Sequence, residues 1–498
     1  MPTMKLLRLS WFFAVALLLL CIPSRAWAHG RLKGSAPADG AHLSETPREI
    51  RLDFSETPEL AFTAVRLIAR GGREIPLTAL AYASDSHRAV VATVRGGMVA
   101  GEYTVAWQMA GDDGHVVRGQ FEFIVAPGAT GTRGQNGSSA GAASAAAMED
   151  SMSGGYHHDP ASMPGGNGFG SESVLYVLLR WLEYSAILLL IGAVSFRYLV
   201  IGYLSRDKLS EGEAAEPEFL IDAERRAARI AYIGVGVLGA TLVLRLAAQS
   251  FAMHGAADFF NGRLVTTMVT RTMWGWGWLI QLVGILVAGF GLHRAYGLAR
   301  GARRAGAFSN DTHVWWTITA IGTLIIAFSP AFSGHAASAP KLRTLAVLAD
   351  GVHVLGASSW LGTLALVLLA GLPAIKDQPL KVRGALTRSL INGFSPVALT
   401  SAGVAMTTGV FAAWIHVGAI PNLWGTRYGV TLLIKLAILA IVALTGFYNW
   451  RFVKPRLGTE EASVHLQRSA RIEVGVAVLV LLVTAVLVAS PTSMDMTM

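Results

Sequence analysis

The sequence predicts a mixed architecture: an N-terminal Ig-like β-sandwich followed by an all-α polytopic membrane domain of eight transmembrane helices. Three observations predict it. Residues 29–126 alternate short strand-like runs with Gly- and Asp-containing turns. Residues 173–490 hold eight apolar stretches, each long enough to cross a ~30 Å hydrocarbon core at ~1.5 Å per residue. The composition, 53% hydrophobic over 498 residues, is too apolar for an ordinary soluble enzyme.

Residues 1–28 read as a secretory signal: Lys5 and Arg8, an apolar run through Leu20, then Ala26-Trp27-Ala28 as the cleavage pattern. Cleavage there makes His29 the first residue of the mature protein. Its α-amine and ring Nδ1 can then chelate one metal ion, a donor pair that suits Cu(II). The single cysteine, Cys21, lies inside the signal, and Leu18-Leu19-Leu20 lacks the small residues that precede a lipidated cysteine. The mature chain therefore has no disulfide, zinc ribbon or thiolate relay, and any soft-metal chemistry falls to His and Met.

Within 29–126 the expected strands are 50–54, 64–68, 89–94, 103–107 and 120–125, punctuated by Gly71-Gly72, Gly96-Gly97 and Asp113-Gly114. Residues 127–172 are rich in Gly, Ser and Ala and read as a flexible linker of about 45 residues, with a typical reach of roughly 35–40 Å. Its His157, His158, Met148, Met152 and Met163 are read as incidental to a low-complexity tether.

The eight spans fall near 173–204, 227–252, 272–294, 314–333, 343–372, 391–415, 427–451 and 470–490. Charge sets their orientation. With the sandwich outside, the inner loops carry Arg206, Lys208, Arg225, Arg226, Arg294, Arg300, Arg303, Arg304, Lys376, Lys381, Arg383, Arg388, Arg451, Lys454, Arg456 and Arg468. The outer loops carry only Arg263, Arg271, Lys341, Arg343 and Arg427. The positive-inside rule is obeyed at every turn, which puts both ends of the mature chain in the periplasm and assigns the net charge of +9 to the bilayer rather than to nucleic acid. Residues 491–498 form an outer tail with Met494, Met496 and Met498.

Asp112-Asp113-Gly114-His115 precedes the last strand of the sandwich. Asp113 and His115 are two apart on an extended or turning segment and can point the same way. Joined to the His29 amine and imidazole they make three nitrogens and one oxygen, a Cu(II) set; taken alone, the segment reads as a hairpin turn.

Here the chain resembles a known family. His29 at the cleavage point, Ser35-Ala36-Pro37-Ala38-Asp39-Gly40, Leu52-Asp53-Phe54-Ser55-Glu56, Gly101-Glu102-Tyr103-Thr104-Val105-Ala106-Trp107 and Asp113-Gly114-His115-Val116-Val117-Arg118-Gly119 are similar to the CopC periplasmic copper-binding proteins. The resemblance implies a Cu(II) site at His29, Asp113 and His115. The sandwich has only Met98 and Met109, so the Met-rich Cu(I) loop of some members is not expected. Ser333-Gly334-His335-Ala336, Asp350-Gly351-Val352-His353 with Trp360-Leu361-Gly362, and Tyr428-Gly429-Val430 with Lys435 resemble CopD, the inner-membrane partner of CopC, here fused to it over residues 173–490.

In this topology His254, His335 and His416 sit at outer ends of spans, and His353 lies inside the fifth. Arg180, Glu183, Arg245, Gln249, Asp350, Met406 and Lys435 occupy outer halves of their helices. Ionisable groups in a bilayer cost about 2.5–3.5 kcal/mol on insertion scales, so they pair or line a pathway. Asp350 and Lys435 lie at matching depth and can neutralise one another, and Asp350 shares a helical face with His353. Imidazole and Met sulfur suit Cu(I), so His335 and His353, then His254, His416 and Met406, are candidate ligands at an outward-facing cavity. His293, His313 and His465 sit among basic residues at inner ends and are read as surface groups.

No Walker A loop and no P-type phosphorylation motif is present. Without ATP chemistry a cation moves inward most easily, by about 2.3 kcal/mol per charge per 100 mV. The expected function is therefore capture of Cu(II) by the sandwich and passage of copper across the inner membrane in the direction of import, with no enzymatic activity and with other periplasmic copper carriers as partners. The alternative is a membrane haem or copper redox protein, with His335 and His353 as ligands, that reduces periplasmic copper.

Overall fold

The computed structural model describes residues 32–55, 57–111, 116–127, 173–206, 217–305, 312–332, 342–453 and 460–489. Two sheets form the N-terminal sandwich. One is ordered β1 (Leu32–Ala36), β3 (Glu49–Phe54), β7 (Ser86–Thr93), β6 (Ala81–Ala83); the other β2 (Ala41–Leu43), β9 (Val116–Val125), β8 (Gly101–Ala110), β4 (Ala64–Ala69), β5 (Glu74–Ile75). The expected strands are all present. Those absent from the expectation, β1, β2, β5 and β6, are short edge or near-edge strands of two to five residues, too brief to show alternation.

Period-two burial explains the sandwich. Ile50, Leu52 and Phe54 of β3 point inward against Tyr103, Val105, Trp107 and Met109 of β8, and each such side chain contributes roughly 1.5–3 kcal/mol by leaving water. Phe54 meets the Trp107 indole edge-on at 5.4 Å between centroids. Opposite Trp107 in the ladder stands Gly119, where a Cβ would come within 2.5 Å of the indole. Strand β8 breaks the alternation: every residue from Val105 to Ala110 is buried. Its second face is covered as well, by the helical domain.

Among the described residues that domain has eight helices long and apolar enough to cross a membrane. They are α1 (Val174–Leu204), α2 (Glu218–Ala256), α4 (Met273–Gly301), α5 (Thr312–Phe332), α6 (Thr344–Lys376), α7 (Leu380–Val417), α8 (Arg427–Tyr448) and α9 (Arg468–Ala489). A shorter helix, α3 (Gly262–Arg271), joins α2 to α4. Ser173 and Thr426 cap α1 and α8 by accepting the amides of Tyr176 and Gly429. Small residues set the closest crossing, between α1 and α6: a Cβ at Gly192 would fall 2.3 Å from the Gly362 carbonyl carbon.

The helices alternate in direction. Tyr176 reaches Gln249, Met253 packs with Trp274, Ala331 with Ala346, and Val417 with Tyr428 and Leu487. These contacts define the side that faces the sandwich. On the far side Glu224 takes Arg197 and the Trp316 indole N–H, while Arg226 joins Asp222 to Asp377. Among the described residues, π turns lie there at Phe196–Ile201 in α1, Val367–Gly371 in α6, and Asn449–Val453 beyond α8.

Candidate functional site

Of the expected metal ligands, His29, Asp113, His115 and His335 lie outside the described residues. Their neighbours in the chain are informative. Ala110 pairs with Val116, so the end of β8 and the start of β9 lie side by side. Leu32 pairs with Phe54, and Pro58, a few residues on, bridges to Gly111. The start of β1, the end of β8 and the start of β9 thus belong to the same end of the sandwich.

This end sits on the helical domain. Gln108 Nε2 donates to the Met253 carbonyl at 3.1 Å, and Arg118 Nη2 to the Ala252 carbonyl at 2.5 Å. Arg118 Nε also donates to Gln108 Oε1 at 2.9 Å, so the two side chains form one clamp. Burial pulls the Arg118 guanidinium below its ordinary range. Around the clamp Phe62 and Ala110 of the sandwich pack with Met253, Met268 and Trp274 of α2, α3 and α4. This contact is not legible in the sequence, because Gln108 and Arg118 read as ordinary outward-facing strand residues.

His254 lies beside the clamp, its ring 5.8 Å from that of Phe62. Its Nδ1 is 3.0 Å from Ser250 Oγ, and the Ser250 hydroxyl donates to the Phe259 carbonyl at 2.7 Å. A hydroxyl has one proton, so Nδ1–H must be the donor to Ser250. In the neutral ring Nε2 then carries the lone pair. It is buried and has no hydrogen-bond partner among the described residues. Fixing one imidazole nitrogen by a protein acceptor is how metal-binding histidines are oriented.

A second constellation is separate from the first. Helices α6, α7, α8 and α9 and the middle of α1 line a cavity of about 1070 Å³. His353, Asp350, Met406, His416, Tyr428 and Lys435 line it on the sandwich side, Asn449 and Glu473 on the far side. His353 Nδ1 is 2.9 Å from the Ala405 carbonyl, which can only accept, so its Nε2 too is left with the lone pair. Asp350 and Lys435 lie within electrostatic reach but share no hydrogen bond among the described residues. Met406 is 65% exposed, and the His416 ring stands 6.3 Å from Tyr428. Among the described residues no three His, Cys, Asp or Glu side chains converge as a metal site. Imidazole and thioether donors are what the cavity offers.

His254 therefore does not share the cavity of His353 and His416. Helix α2 packs with α1 and α4, away from α7 and α8. Between the two constellations lies a buried polar cluster. Arg245 pairs with Glu183, Gln281 Nε2 donates to Glu183 Oε1 at 2.8 Å, Tyr176 donates to Gln249 at 3.2 Å, and Arg180 stacks on Tyr176. Two arginines against one carboxylate give this cluster a positive excess, which repels a bare cation. Sequence pattern singles out Arg180, Glu183, Arg245 and Gln249, but neither Tyr176 nor Gln281, and none of the pairing. It missed Glu473 and Asn449 altogether; the signal was a lone acid in the apolar run of α9.

Family models match three segments: CopC at residues 32–126, the N-terminal domain of copper resistance protein D-like proteins at 171–342, and copper resistance protein D at 388–487. The copper transport protein CutJ of Bacillus subtilis (strain 168) is 23% identical over 483 residues, covering 97% of this chain and 77% of that one. Copper resistance protein C of Escherichia coli is 30% identical over 115 residues, 22% of this chain and 90% of that protein. The crystal structure of PcoC, a methionine-rich copper resistance protein from Escherichia coli, aligns at 27% identity over 20% of this chain and 99% of that one, with a TM-score of 0.18. The chain is a CopC–CopD fusion, a member of the copper resistance and transport proteins in which both partners occupy one polypeptide.

Proposed function

We propose that the sandwich captures periplasmic Cu(II) through the His29 amine and imidazole, Asp113 and His115, and hands copper to the membrane domain for import. The observation that carries this reading is the seat of the β8–β9 hairpin on the end of α2, next to a histidine whose Nε2 has no partner among the described residues. His254 is the first acceptor. His353, with Met406, His416 and His335, forms a separate imidazole and thioether path, entered from the sandwich side rather than through the positively charged cluster, and its donors favour Cu(I). Asp350 and Lys435 offset one another's charge beside that path. The sandwich and both ends of the mature chain lie in the periplasm, and an inside-negative potential drives the cation inward.

Uptake of copper into liposomes holding the full chain, with and without an imposed potential, tests the reading. His254→Ala and His353→Ala are each expected to reduce uptake while leaving Cu(II) binding by the sandwich intact. Normal uptake in both would remove them from the path. A Soret band in the purified protein would favour the haem redox alternative instead.

A further inference from the structure

The far end of the cavity is built from different chemistry. Glu473 of α9 is 7% exposed and lines it together with Asn449. Asn449 Nδ2 donates to Glu473 Oε1 at 2.6 Å and to Ser469 Oγ at 2.7 Å, and Ser469 donates to Glu473 Oε1 at 3.3 Å. Asn449 Oδ1 is buried without a donor among the described residues. No Lys, Arg or His side chain among them pairs with Glu473. The site thus presents carboxylate, amide and hydroxyl oxygens with no cation to balance them.

A buried carboxylate without an ion-pair partner in a membrane domain is strongly disfavoured unless a cation neutralises it. Oxygen donors select hard ions, whereas the sandwich side of the same cavity offers nitrogen and sulfur. The nearest intramembrane charge on α8, Lys435, lies about 21 Å away along the helix at ~1.5 Å per residue. The other titratable groups of the cavity, Tyr184 on α1, Asp350 and His353 on α6, His416 on α7 and Tyr428 on α8, lie in mid-span or toward the sandwich side. Arg451 on the adjoining π turn is exposed and stacks on Phe452 at 5.5 Å, and Arg468 and Arg471 of α9 are exposed.

We propose that Glu473, Asn449 and Ser469 bind a hard monovalent cation, a proton or a sodium ion, whose exchange is coupled to passage of the cargo through the cavity. The coupling rests on the copper-import reading; the binding does not. The asymmetry supplies an energy source to a chain without an ATP motif: soft cargo enters on one side, and a hard ion is exchanged at the other.

Two measurements on the full chain in liposomes test it. A hydrophobic carbodiimide labels protonated buried carboxyl groups, and mass spectrometry reads the modification at Glu473. Labelling that falls as pH rises and ignores sodium identifies a proton site; labelling suppressed by sodium identifies a sodium site. Labelling indifferent to both, or none at any pH, overturns the proposal. In the second measurement, silver(I) serves as the cargo probe under an imposed proton or sodium gradient. One coupled ion converts a tenfold gradient into about a tenfold change in silver accumulation. Glu473→Gln should abolish that response and Glu473→Asp should keep part of it, both with normal Cu(II) binding. Native uptake that ignores both gradients overturns the coupling. No silver uptake at all refutes the import reading and leaves the labelling to decide the site.

Discussion

Ser250 makes His254 useful as a ligand. Its hydroxyl spends its proton on Phe259 and so compels the imidazole to donate from Nδ1. Ser250→Ala frees the ring to turn, and losing such a supporting contact typically costs about 10–100-fold in metal affinity or activity. Copper uptake should fall within that range, measured beside unchanged Cu(II) binding. Glu74 offers a pH test on the sandwich. The Arg66 hydrogen bond holds its carboxyl below the usual range. A carboxyl lowered on folding adds stability above its unfolded pKa, about 4.3 for Glu, and loses it as pH falls through the folded value. Hydrogen exchange at the β4–β5 amides should therefore quicken on acidification below about pH 4, and Glu74→Gln should flatten that dependence. At this scale the sequence showed residue types and depth. It could not show which hydroxyl feeds which ring nitrogen, because that depends on atoms brought together by a helix turn and a loop.

Among elements, the α1–α6 crossing is the most sensitive to volume. Gly192 and Gly362 leave no room for a side chain, so Gly192→Leu should push the helices apart at a cost of about 1–3 kcal/mol. The measurable outcome is a lower melting temperature of the detergent-solubilised protein, with Gly236→Ala, which meets open space, as the neutral comparison. The spans were legible because some twenty apolar residues in a row have few alternatives. The far-side extension of α2 was not. Asp222, Glu224, Arg225 and Arg226 look like loop residues until Asp222 is seen to hold both arginines and Glu224 to meet Arg197. Internal pairing lets a helix carry charges that hydropathy alone assigns to solvent.

For the whole molecule, the linker's reach bounded where the sandwich could go but not where it rests. The seat is a joint product of Gln108, Arg118 and an apolar patch, none distinctive alone. Removing the Arg118 hydrogen bond to Ala252 should cost about 1.5–3 kcal/mol of docking, the range for a charged donor. Arg118→Ala should thus lower uptake at limiting copper and expose the β8–β9 hairpin to faster hydrogen exchange, with Cu(II) affinity preserved. Both clamp residues grip main-chain oxygens. These two hydrogen bonds depend on the course of the chain at 252 and 253 rather than on side-chain chemistry there, while the Met253 side chain serves the apolar patch. Just beyond the grip, Gly255 adopts φ 76°, a conformation that other residues rarely accept. The join between the two domains is consequently recorded in backbone shape, and a single methyl group at position 255 would threaten it more than many changes of chemistry nearby.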